Sequence, residues 1–221
     1  MGFYLVENGG IWGMGDKKVK KIYDNLSKIY DQQRVKDYFQ NTLKTVLKYI
    51  QKSKSKILDI GCGTGMYAVE LSNMGYNVIG TDFSEDMIKK AKINAKKNKS
   101  KANFFVHDAE KQLPKQISKV KFDLILFNSS WEFLPNPTSA LKILKNNLKD
   151  KGIILIITPN PLVSPAIILA EKLKIKKLSP AFYFFNSFKF RTKKFAKKAE
   201  LKLVSYKYRY KFLDVEAVIK R

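Results

Sequence analysis

One cysteine, Cys62, leaves no partner for a disulfide framework. One histidine, His107, leaves no His/Cys/Asp cluster with the spacing of a metal site. No uninterrupted apolar stretch approaches the roughly 18 residues of a membrane span. The first residues lack the basic start and apolar run of a secretory signal, so a reducing cytoplasm is the expected compartment. Acid is scarce as well: 19 Asp+Glu stand against 43 Lys+Arg, a formal net charge of +24. That balance attracts polyanions such as nucleic acid, an anionic membrane or acidic metabolites. Lysine, isoleucine and asparagine are frequent along the whole chain, so solvated lysines on helix faces account for the same excess. With 221 residues and 45% hydrophobic content, one well-buried domain over residues 21–221 is expected, behind a glycine-containing arm over 1–20.

What is present starts at residue 57. Ile57-Leu58-Asp59-Ile60 reads as a buried strand and runs into Gly61, Cys62, Gly63, Thr64 and Gly65. A helix pattern follows from Met66. A strand, a glycine loop and a helix in this order bring backbone close to a nucleotide-like ligand. The spacing is not the dinucleotide G-x-G-x-x-G, and the loop lacks the Lys-Ser/Thr of a phosphate-binding loop. Further along, Asn77 to Asp82 reads as a second strand ending in an acid, followed by Phe83. Ser84 caps a helix with Glu85 and Asp86 in its first turn and Met87, Ile88, Ala91 and Ala95 on one face. Asn103 to Val106 reads as a third strand, leading to His107, Asp108, Ala109 and Glu110. A fourth, Phe122 to Asn128, leads to Ser129-Ser130-Trp131-Glu132.

The segment Asp59-x-Gly61-x-Gly63-x-Gly65 resembles motif I of the class I S-adenosylmethionine (SAM) methyltransferases, more loosely their ubiquinone-biosynthesis branch. The resemblance implies an α/β, Rossmann-like, doubly wound sheet of seven strands, the last antiparallel. It implies SAM as cofactor, held by Asp59, Gly61, Cys62, Gly63 and Gly65 around the methionine part. Asp82 would take the ribose hydroxyls, with Phe83 and Met87 nearby. Asp108 and Ala109 would meet the adenine, and Asn128 and Ser129 the methionine end beside the reactive methyl. By the same placement His107 lies at the adenine end and is structural, as is Asp123. Asn-Ser-Ser-Trp at 128–131 differs from the Asn/Asp-Pro-Pro-Tyr/Phe of base-amino methyltransferases, which argues against exocyclic base methylation. The histidine that many small-molecule relatives carry near position 132 is Glu132 here.

Two segments lie outside these motifs. Tyr23-Asp24 to Tyr30-Asp31 resembles the segment that opens quinone and small-molecule methyltransferases, where a helix forms a lid. Tyr23 and Tyr30 are the lid candidates; the catalytic residues stay unassigned, with Tyr23, Tyr30 and Glu132 as candidates. Val35, Tyr38, Phe39, Leu43, Val46, Leu47 and Ile50 follow at helical spacing. After a continuous apolar strand, Ile153 to Ile157, residues 160–191 exceed what one crossover needs. They combine an apolar helix start, lysines and clustered aromatics. This insertion suits a cap over the site, a contact with anionic lipid or single-stranded nucleic acid. Two strands, Leu201 to Tyr210 and Leu213 to Ile219, close the sheet; the second alternates apolar and charged residues. The expected activity is methyl transfer to a small, partly apolar acceptor, such as a lipid or quinone precursor. The alternatives are an RNA or ribosome-component methyltransferase and a non-catalytic SAM-binding regulatory subunit.

Overall fold

The computed structural model describes residues 36–162, 184–209 and 214–221. Seven strands form one sheet in the order β3-β2-β1-β4-β5-β7-β6. They are β1 (Lys56–Ile60), β2 (Asn77–Asp82), β3 (Asn103–Val106), β4 (Phe122–Asn128), β5 (Leu148–Pro159), β6 (Lys202–Arg209) and β7 (Asp214–Lys220). Strands β1 to β5 are parallel. β7 runs antiparallel to both of its neighbours, β5 and β6. The α/β reading with a reversed closing strand therefore holds.

Alternate residues of each strand point to opposite layers. Ile57, Leu124, Leu126, Leu155 and Val218 pack with α1 (Lys36–Lys48), α2 (Met66–Asn73) and α3 (Glu85–Lys97). Leu58, Ile60, Ile125, Phe127, Ile154 and Ala217 pack on the other face, with α4 (Pro137–Lys145), α5 (Lys189–Lys198) and the 3-10 turn Trp131–Phe133. Both faces being covered is why the central strands read as unbroken apolar runs. α3 forms as its sequence predicts. Ser84 accepts the Met87 N–H at 3.1 Å, the acids Glu85 and Asp86 lie in the first turn, and Met87, Ile88, Ala91 and Ala95 are buried.

Two elements differ from expectation. β5 begins at Leu148 rather than Ile153, with a register shift against β4 between Phe122 and Leu124. Gly152 is what allows it, since a Cβ there would sit 2.8 Å from the Phe122 carbonyl oxygen. In β7 every residue from Asp214 to Ile219 is buried, although its alternation predicts one wet face. α1 and the residues after it cover the second face, so the acids find partners instead of water: Asp214 pairs with Arg209, which reaches Thr42 of α1, and Glu216 accepts from the Tyr49 hydroxyl.

A second 3-10 turn, Phe184–Ser187, is fastened to the first. Trp131 Nε1–H donates to the Asn186 carbonyl at 3.1 Å, and Asn186 Nδ2 donates to the Leu134 carbonyl at 2.8 Å. The Tyr206 hydroxyl donates to the Ser187 carbonyl at 2.7 Å. Most of the 160–191 insertion, the N-terminal arm, Tyr23 and Tyr30 lie outside the described residues. Among the described residues no helix is long and apolar enough to cross a membrane.

Candidate active site

The sheet register lines up the strand ends. Ile60 of β1 lies between Thr81 of β2 and Phe127 of β4, Asn128 pairs with Ile157, and Pro159 pairs with Asp214. Asp59, the glycine loop, Asp82, Asn128, Ser129, Thr158 and Asp214 thus gather at one end of the sheet. This is where open α/β sheets bind ligands.

The loop after β1 folds over β2. Gly61 and Cys62 both donate to the Thr81 carbonyl, at 2.7 and 2.9 Å, and Gly61, Gly63 and Gly65 all have positive φ. At Gly65 the need is double: φ is +79°, and a Cβ would meet the Phe104 ring at 2.8 Å. Its missing side chain serves packing against β3 as well as the turn, a reason the motif alone does not reveal.

Asp82 is 6% exposed. Its Oδ2 accepts the Gly63 N–H and its Oδ1 the Ser84 N–H, both at 2.9 Å. These bonds fix the carboxylate's orientation at the end of β2. Cys62 sits between Asp59 and Asp82, and burial followed by those two carboxylates pushes its thiol well above the usual range. The thiol stays protonated and acts as a small filler. Phe83 is partly buried against the core, whereas Met87 and Ala109 are fully buried. Asp108 Oδ1 accepts the Glu110 N–H at 3.0 Å, and Lys111 lies 3.6 Å from its other oxygen. His107 is buried with Nε2 on the Lys111 carbonyl at 3.0 Å, and burial lowers its pKa. Asp123 lies at the far end of the sheet, bonded to the Lys56 N–H and to Lys149.

At the tip of β4, Asn128 is buried and its Oδ1 has no hydrogen-bond partner among the described residues. A buried carbonyl with no donor is costly, so this atom asks for a donor from a ligand. Ser129 follows with φ +53°, its N–H on the Ile157 carbonyl at 2.8 Å. The Ser130 hydroxyl then ties the turn to the Ile60 carbonyl at 2.6 Å. Glu132 is 3% exposed, accepts from the Thr158 hydroxyl at 2.9 Å and is pushed by burial up to about 7. Thr158 also bonds the Ser187 hydroxyl at 3.0 Å. The structure adds Tyr38, Thr158, Arg209 and Asp214 to this end of the sheet. The sequence offers Tyr38 only as a helix-face aromatic and Thr158 only as a strand stop. A concavity of about 730 Å3 lies at the opposite end of the sheet among Lys54, Lys56, Lys99 and Lys101. It shares no residue with this site.

A family model described as a methyltransferase domain matches residues 51–202. The chain belongs to that family. This methyltransferase is 31% identical over 182 residues to the demethylmenaquinone methyltransferase of Staphylococcus saprophyticus, covering 76% of each chain. It is 34% identical over 149 residues to malonyl-[acyl-carrier protein] O-methyltransferase 2 of Ilyobacter polytropus, covering 64% of its own chain but only 54% of that one. The crystal structure of a SAM-dependent methyltransferase from Aquifex aeolicus superposes with a TM-score of 0.67 at 19% identity, covering 88% of this chain and 98% of that one. The methyltransferase's cofactor is SAM. The residues present fit it: Asp82 is a carboxylate fixed at the end of β2, Asn128 carries a buried carbonyl with no partner among the described residues, and the loop after β1 has three glycines with positive φ.

Proposed function

We propose that the chain methylates a small, partly apolar acceptor at a nucleophilic atom, with a quinone or lipid precursor as the leading class. The observation that carries the reading is the single line of strand ends running from Asp82 through Asn128 to Asp214. It supports reading Asp82 as the ribose end and the buried polar residues Asn128, Thr158 and Asp214 as the neighbouring acceptor side. SAM supplies an already activated methyl group, so alignment of the acceptor can provide most of the rate. The chain's own part is to hold the ribose end at Asp82, the adenine end at Asp108 and Ala109, and the methionine end at Asp59, Asn128 and Ser129. Quinone and acyl acceptors of the two relatives support the choice of class. The test pairs calorimetric binding of S-adenosylhomocysteine with transfer of labelled methyl groups into lipid and RNA fractions. Label in the lipid fraction is the expected result. Label in RNA alone would reverse the substrate class, and absence of cofactor binding would remove the reading.

A further inference from the structure

The concavity where the parallel strands begin serves no step of the methyl transfer. Its volume of about 730 Å3 falls in the range of small-molecule sites. Lys54 and Lys56 border it from the entry to β1, Lys99 and Lys101 from the link between α3 and β3. All four are exposed, and none forms an ion pair among the described residues. No acid lines the hollow. Asp123 beside it is already bonded to the Lys56 N–H and paired with Lys149 at 2.7 Å. α2 and α3 both end here, and each helix C-terminus brings about half a negative charge. Set against four lysines, that leaves the hollow cationic. The border is also fastened. Asn77 Nδ2 donates to the Lys54 carbonyl at 3.2 Å, and Asn73 Nδ2 to the Asn98 carbonyl at 3.3 Å. Lys54 and Lys99 hold φ of 61° and 51°, a region that glycine enters freely and lysine only at a cost. The turns demand a left-handed residue; they do not demand a charged one.

We propose that this hollow is a second ligand site, for a small molecule that carries two or more phosphates beside an aromatic part, as a nucleoside diphosphate does. The lysines meet the phosphate oxygens as point charges with three donors each. The uncharged part has its own lining: Tyr76, half-buried, with Val78, Ile79, Val120 and Phe122. A phosphate alone has no use for that apolar lining. A bilayer surface is flat and cannot enter a hollow. An RNA strand gains affinity from a track of phosphate contacts, whereas these four lysines surround one place. The site shares no residue with the cofactor end, so the two ligands bind side by side on one molecule. The proposal stands independently of the methyltransferase reading above.

The test is calorimetry with ADP as the probe, near 0.15 M salt to screen diffuse attraction, with S-adenosylhomocysteine at saturation. ADP should bind one-to-one with a Kd below about 1 mM. Inorganic pyrophosphate should bind about tenfold more weakly, for want of a ring to stack. Lys54→Gly combined with Lys99→Gly removes two charges where glycine suits the backbone, so the fold is kept. That pair should weaken ADP about tenfold or more, as charged hydrogen bonds are lost, and leave S-adenosylhomocysteine affinity unchanged. Lys193→Ala combined with Lys197→Ala removes the same charge from exposed positions of α5 and should leave ADP affinity unchanged. Equal losses in the two pairs, equal affinity for ADP and pyrophosphate, or no saturable ADP binding would overturn the site. So would displacement of S-adenosylhomocysteine by ADP, or a short oligouridylate that binds where ADP does not. A protein that fails to bind S-adenosylhomocysteine strikes the methyltransferase reading alone, since a loss of ADP binding confined to the Lys54 and Lys99 pair still locates the site.

Discussion

At position 65 a side chain faces two penalties at once: φ is +79° and the Phe104 ring lies 2.8 Å from where a Cβ would be. Gly65→Ala should therefore cost about 2–4 kcal/mol, combining left-handed strain with overpacking, and urea denaturation reads it. Phe104→Leu added to that variant should recover the steric part and leave the strain. Asp82 tests function rather than folding. Asp82→Ala should weaken S-adenosylhomocysteine binding by roughly 2 kcal/mol, as hydrogen bonds to a charged acceptor are lost, and unchanged calorimetric affinity would remove the ribose assignment. Asp59, Asp82 and Asp108 stand out in the sequence as candidates because each lies at or just beyond the C-terminal end of a parallel strand. Tyr38 and Asp214 do not. They belong to opposite ends of the chain, and nothing local to either residue records the other.

Among the elements, the paired 3-10 turns are fastened to each other beside the end of β4. Trp131 is fully buried between Phe127 and Phe195 and bonded to Asn186. Trp131→Ala should cost about 3–5 kcal/mol, visible as a lowered denaturation midpoint. Glu132 in the same turn gives stability a pH signature. Its folded pKa of about 7 lies above the ordinary 4.5, burial being the chief cause, so the neutral form is favoured in the native state. Its contribution is most favourable below pH 4.5 and is lost as pH rises through 7. The loss is about 3 kcal/mol, by the usual conversion of pKa to free energy. Asp214 adds a change of the same sign between 3.8 and about 6. Glu132→Gln should flatten most of the decline between pH 5 and 7.5 in denaturant titrations; an unaltered slope would contradict the assignment. The elements themselves were readable wherever periodicity matched burial, as in α3 with its Ser84 cap. β7 was misread because alternation signals one wet face only for a strand that has one, and here α1 and the residues after it cover the face that carries Glu216 and Val218.

For the whole molecule the question is what a formal charge of +24 does. Anionic vesicles and RNA will both attract the protein at low salt, so their comparison belongs near 0.15 M, where the Debye length is about 8 Å. We expect vesicle association to require anionic headgroups and to weaken with salt, through the basic and aromatic residues of 160–191. RNA affinity falling along a log–log salt line with a steep slope, together with no vesicle binding, would favour the polyanion reading instead. Charge is a property the sequence states in full, but it says nothing of where the lysines converge. The lysine-lined groove at the far end of the sheet is invisible until β1, β2 and β3 lie side by side. The position of β7 carries a consequence for how the protein comes into being. The cofactor loop and its three acids are all made by residue 108, yet β7 is inserted between two strands synthesised before it. A nascent chain can thus assemble the strands of the nucleoside half early, while the edges of β5 and β6 wait for residues 214–220 to emerge between them. Loading of cofactor and competence for transfer become separate moments in the life of each molecule.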